Sequence, residues 1–141
     1  MNRIRFPAIL PLALLAALAA TATSTATALD AGADAPVPPR LSTLAGAPDP
    51  ATAQARTTTQ VGRYGQARVM QLQLKAGTRM PAHAAPERVL VVVLAGQGRF
   101  EFDDGPVPVR ARQVLHLAPG ENHGVSADTD LDLLLVRMAE H

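Results

Sequence analysis

Chemistry in this chain falls to histidine and carboxylate, because four histidines are present and cysteine is absent. His83 lies in "PAHAAPERVL" and His123 in "APGENHG". Glu87 follows His83 by four residues, and His116 precedes His123 by seven. Two imidazoles with one carboxylate suit non-haem iron and related first-row divalent metals. His83, His123, Glu87 and His116 are donors of these types, and zinc, iron, nickel or manganese is the cofactor such donors admit, but their spacing alone does not make them ligands. His141 is the last residue. Ser126 has no acid–base partner nearby in sequence, so nucleophilic hydrolysis lacks support. The glycines at 96, 98, 105, 120 and 124 read as turn residues and form no phosphate loop.

These residues need a scaffold, and its signals begin near Thr58. "ARVMQLQL" (67–74) alternates Met70, Leu72 and Leu74 with Gln71 and Gln73, as a half-buried strand does. "RVLVVVL" (88–94) is a continuous apolar run, expected of a strand buried on both faces. "RFEFD" and "VPVRA" flank the turn "DDGP" (103–106) and predict a hairpin. "QVLHLA" (113–118) and "LDLLLVRM" (131–138) are further strands. Nothing carries a sustained helical period. Six or seven short strands at about ten-residue spacing predict an all-β sandwich or barrel.

Upstream the texture differs. Residues 29–57 are rich in Ala and Pro, and "PVPP" and "PDP" forbid regular helix or central strand there. They read as a flexible leader, from which Leu41 and Leu44 can dock on the domain. Residues 1–28 have the layout of a secretory signal peptide. Arg3 and Arg5 form a positive n-region, Phe6 to Ala20 an apolar h-region, and Ala26-Thr27-Ala28 a small-residue cleavage site. The h-region, with Pro7 and Pro11, is short against the roughly 20 residues of a membrane span. The expectation is an exported protein, periplasmic or secreted, with no integral membrane segment after cleavage.

From Leu29 onward the chain has 11 basic and 12 acidic residues and only Tyr64, Phe100 and Phe102 as aromatics. That excludes nucleic acid as a partner read by charge and base stacking. Without cysteine no disulfide is available, so the domain must stand on its packed core.

On these residues the chain resembles the cupin superfamily, whose members are small jelly-roll β-barrels. The first cupin motif is G-x5-H-x-H-x(3,4)-E-x6-G; Gly77, His83 and Gly96 match it. The second is G-x5-P-x-G-x2-H-x3-N; Gly120 and His123 match it. The resemblance spans roughly residues 60–138. It implies a single cupin-type barrel over 58–139 and a cavity into which His83 and His123 both face. It also implies a divalent metal held by three histidines and a glutamate, which makes His83 and His123 candidate metal ligands, with Glu87 and His116 as applicants for a third place. Here the second histidine position is Ala85 and the glutamate position is Val89; the second-motif glycine, proline and asparagine positions are Arg112, Ala118 and Ala127. Glu87 sits two residues before Val89, about 6.5 Å away along a strand. His116 joins the set only if 114, 116 and 118 face inward.

Three readings follow. The first is an exported small cupin barrel that binds a small molecule, or weakly a divalent metal, with its histidines as hydrogen-bond partners. The second is a metal-dependent enzyme, oxygenase- or isomerase-like. The third is a structural or partner-binding barrel, a homodimer formed by sheet addition. Arg79 and Arg88, near the expected mouth, are the cations an anionic ligand could meet.

Overall fold

The computed structural model describes residues 39–140. The signal-peptide expectation for residues 1–28, residues 29–38 of the leader and His141 lie outside them.

Nine strands run in chain order among the described residues: β1 Arg56–Tyr64, β2 Ala67–Leu74, β3 Arg79–Ala84, β4 Arg88–Ala95, β5 Gln97–Phe102, β6 Gly105–Arg110, β7 Val114–Leu117, β8 Asn122–Ala127 and β9 Leu131–Met138. They form two antiparallel sheets, ordered β1-β2-β9-β4-β7 and β3-β8-β5-β6. This is the all-β jelly-roll arrangement expected. The strands legible in the sequence are β2, β4, β7, β9 and the β5–β6 hairpin. Three more were hidden. β1 is mostly polar, β3 contains Pro81, and β8 opens with residues that read as the end of a turn. A register shift between Met80 and His83 lets β3 carry its proline without breaking the ladder to β8.

The two inner faces make the core. Leu72, Val91, Val93 and Leu133 come from the five-stranded sheet, and Phe100, Val109, Val125 and Ala127 from the other, all buried. The expectation that the β4 run is buried on both faces needs correcting. Val89, Val91 and Val93 point inward and are buried, but Leu90, Val92 and Leu94 point outward and are half-buried. No second layer of protein covers the outer face of β4 among the described residues.

The outer face of β2 differs from its sequence reading too. Gln71 and Gln73 are buried rather than solvated. Gln71 accepts from the Ala45 amide at 2.8 Å and donates to the Ala45 carbonyl at 3.0 Å, while Gln73 donates to the Gly46 carbonyl at 3.0 Å. Both side chains also donate to the Asp132 carboxylate. Buried amides persist only when their hydrogen bonds are made, so the segment around Ala45 is what completes them. Leu44 is half-buried there, and Leu41 is exposed.

Two tight places bear on the motif positions. Gly96 has φ 84°, and a Cβ there would stand 1.9 Å from the Asp130 carbonyl oxygen, so only glycine fits. Arg112, in the turn between β6 and β7, has φ 73°, the left-handed region that L side chains avoid. This is the position where the resemblance expects glycine. Arg112→Gly should therefore raise stability by about 0.5–1 kcal/mol, relief of strain outweighing the added freedom of the unfolded chain. Urea unfolding at unchanged m-value measures it; a loss of stability would show that the Arg112 side chain contributes more than its backbone costs.

Candidate functional site

His83 on β3 and His123 on β8 are direct cross-strand partners. Partners in an antiparallel pair project to the same face, and their ring centroids lie 4.6 Å apart. His123 is 5% exposed, with Phe100 and Phe102 at 6.2 and 6.5 Å from its ring, whereas His83 is exposed.

Each ring is held in the same way. His83 Nδ1 lies 3.1 Å from the Pro81 carbonyl oxygen, and His123 Nδ1 lies 2.8 Å from the Glu121 carbonyl oxygen. A carbonyl can only accept, so both Nδ1 atoms carry the proton and donate it. In the neutral ring the lone pair then resides on Nε2. Nδ1 is the hydrogen-bonded nitrogen of both rings, yet no buried side-chain nitrogen or oxygen lacks a partner among the described residues. His123 Nε2 must therefore reach open space. That space is a cavity of about 250 Å³ between the sheets.

The cavity walls are mainly apolar. Met70, Leu72, Val91, Phe100, Leu117 and Leu133 line it. The two histidines, Ala85, Val89 and Arg137 complete it. The arrangement follows from alternation along β9. Leu131, Leu133, Leu135 and Arg137 share the inner face; the first two are 1% and 0% exposed, while Leu135 and Arg137 are half-buried. Packing is complete at one end of the sheets and incomplete at the other.

The expected site residues separate into two groups. His83 and His123 come together on the cavity. Glu87 does not join them: its carboxylate accepts from Arg137 Nε at 2.9 Å and also from Arg137 Nη2. His116 lies on the outer face of β7, where Arg88 donates to its Nε2, so the condition that 114, 116 and 118 face inward is not met. Arg88 also pairs with Glu140, and Arg79 donates to Ser126 Oγ at 3.3 Å. Neither arginine lines the cavity. Arg137, which does, was missed by sequence reading. Its signal was present: it is the last inward position of "LDLLLVRM", a cation ending a buried row.

The donors present do not fit a bound metal. No group of three or more His, Asp or Glu side chains converges among the described residues. Two imidazoles fall short of the three protein ligands of a catalytic zinc site. Ala85 and Val89 line the cavity where the resemblance expects histidine and glutamate.

Residues 70–139 match the family model of the AraC-like ligand binding domain. Solved structures agree on the fold. A cupin superfamily protein from Desulfitobacterium hafniense aligns with TM-score 0.57 at 13% identity, covering 60% of this chain and 78% of that one. This chain has the cupin fold. An RmlC-like cupin from Desulfovibrio desulfuricans aligns with TM-score 0.55 at 23% identity, covering 68% and 97% of the two chains. A structure titled salicylate 1,2-dioxygenase, from Pseudoaminobacter salicylatoxidans, aligns with TM-score 0.57 at 14% identity; 62% of this chain covers 26% of that one. At such identities the likeness carries the fold and nothing of the chemistry. No curated protein matches the sequence.

In this cupin fold Ala85 and Val89 can be replaced by the ligands that the resemblance expects at their positions. The double substitution Ala85→His and Val89→Glu adds one imidazole and one carboxylate to the existing pair. Without metal it should be less stable than wild type, because Val89 is 4% exposed and a buried lone carboxylate is costly. With zinc at about a thousandfold over Kd it should regain roughly 4 kcal/mol by mass action. His83→Ala in that background should remove the gain. Calorimetric titration and melting with and without zinc decide it; a wild type that binds as tightly would mean that other groups complete the site.

Proposed function

We propose that this cupin is a binding domain for a small, largely apolar organic molecule, held in the barrel cavity and oriented by His83 and His123. The observation that carries the reading is the pair of imidazoles whose Nδ1 atoms are spent on backbone carbonyls. Their Nε2 lone pairs are left as acceptors at the edge of an apolar space. An apolar pocket with a few convergent polar groups is the usual form of a small-molecule site. An apolar cavity of about 150 Å³ already takes a benzene, so one ring with substituents suits this one. Two acceptors favour a ligand that presents a hydroxyl or an N–H at that end. The match to a ligand-binding family model supports the same reading.

The metal-dependent oxygenase or isomerase reading is not adopted, because the cavity offers two nitrogen donors and the carboxylate expected to join them, Glu87, is engaged by Arg137. Export is part of the proposal and rests on the layout of residues 1–28 alone. N-terminal sequencing of the protein from an envelope fraction should begin at or near Leu29.

Phenol and toluene differ by one hydroxyl and make a direct test. Phenol should bind with the histidine ring protons among the most perturbed NMR signals, and more tightly than toluene by about 1 kcal/mol, the worth of one hydrogen bond. Ala85→Leu, which adds side-chain volume to the cavity lining, should abolish both. Binding of phenol that survives Ala85→Leu unchanged would place the site elsewhere.

A further inference from the structure

Strand pairing assembles a row of cations that no part of the sequence displays. Arg137 on β9 is the register partner of Arg68 on β2, and Arg68 is the register partner of Arg63 on β1. All three therefore project to the inner face, at the end of the sheet where packing is incomplete. Adjacent strands lie about 4.8 Å apart, so the row spans roughly 10 Å. Arg63 joins it only through a bulge. The register shifts between Gln60 and Gly62, which makes Val61 an extra residue. Were Val61 paired in unbroken register with Val69, Arg63 would face Ala67 and project to the opposite side of the sheet. Bulges at barrel rims are known to re-aim a side chain in this way.

Like charges placed directly opposite across strands are destabilising. One carboxylate offsets the row: Glu87 pairs with Arg137. Among the described residues Arg63 and Arg68 take part in no ion pair. Three guanidiniums and one carboxylate leave a formal charge of +2. Arg137 also lines the cavity that His83 and His123 border. Arg137 thus joins this apolar space to Arg68 and Arg63, two guanidiniums without an ion pair among the described residues, whose planar forks match a carboxylate or a phosphate.

We propose that the ligand of this barrel is an amphiphilic anion. Its apolar body occupies the cavity and its carboxylate or phosphate is bound at the rim by Arg68 and Arg63, beside the Arg137–Glu87 pair. The proposal rests on the cavity reading above and adds the charge class of the ligand and the residues that select it.

Three probes with a common body test it: 3-phenylpropionate, 2-phenylethyl phosphate and the neutral 3-phenylpropionamide, titrated calorimetrically into the full domain. At least one anion should bind about tenfold more tightly than the amide or better, the worth of one charge-assisted hydrogen bond. The stronger of the two anions identifies the head group. The preference should shrink as salt is raised, since the rim is exposed. Arg68→Gln and the double change Arg63→Gln, Arg68→Gln should remove the preference while leaving amide binding as it was. Arg88→Gln, which lowers net charge equally but on the outer face, should keep it. If amide and anions bind alike, the anion proposal fails and the cavity reading stands. If Arg88→Gln costs as much as Arg68→Gln, the preference is a long-range charge effect and the rim site is overturned. If none of the three binds, the cavity reading fails and the rim proposal with it.

Discussion

The cupin fold of this chain turns on how completely two inner sheet faces fill the space between them. Leu131 and Leu133 on β9 meet Val93 and residues of the opposing sheet with essentially no exposure. Two residues further along the same face the row passes to Leu135, and then to Arg137, both half-buried. Across the gap, Ala85 contributes a single methyl group to the lining. Interiors pack nearly as densely as organic crystals, so a deficit of side-chain volume at one end shows up as a cavity rather than as loosening throughout. The fully packed end supplies the stability that the open end does without.

Polar groups at the open end follow from the same deficit. An imidazole in a filled core would need partners for both nitrogens. Here the backbone satisfies Nδ1 of His83 and of His123, and the cavity leaves Nε2 accessible. A hydrogen bond from the other ring nitrogen is also how metal-binding histidines are oriented, so the pair has the posture of ligands while no third ligand converges on it among the described residues. Glu87 illustrates why proximity in sequence is not enough. It lies four residues from His83, yet Arg137 on β9 engages its carboxylate through both Nε and Nη2.

Much of the scaffold was legible because period-two alternation and short unbroken apolar runs are local signals. β2, β4, β9 and the β5–β6 hairpin all announce themselves in runs of six to eight residues. β1 and β3 did not, since an edge strand with one apolar neighbour can be as polar as "RTTTQVGRY" and can carry Pro81 at a register shift. His83 and His123 were found because the two motif fragments survive around them. The buried state of Gln71 and Gln73 was not legible. Their covering groups, at Ala45 and Gly46, come from a segment whose composition suggests a leader. The arginine row was the least accessible of all. Arg63, Arg68 and Arg137 become neighbours only through two strand pairings and one bulge, and no single stretch of sequence contains that information.

The claim on which the functional account depends is that His83 and His123 are an acceptor pair for an organic ligand rather than the remnant core of a working metal centre. Long-range proton–nitrogen correlation spectra of the imidazoles, recorded on metal-free protein at a pH where the rings are neutral and again with one equivalent of zinc, test it most directly. The account predicts the Nδ1–H tautomer for both rings and nitrogen shifts that stay essentially unchanged at one equivalent. An Nε2–H tautomer in either ring, or both Nε2 signals moving to metal-bound positions at one equivalent, would contradict it.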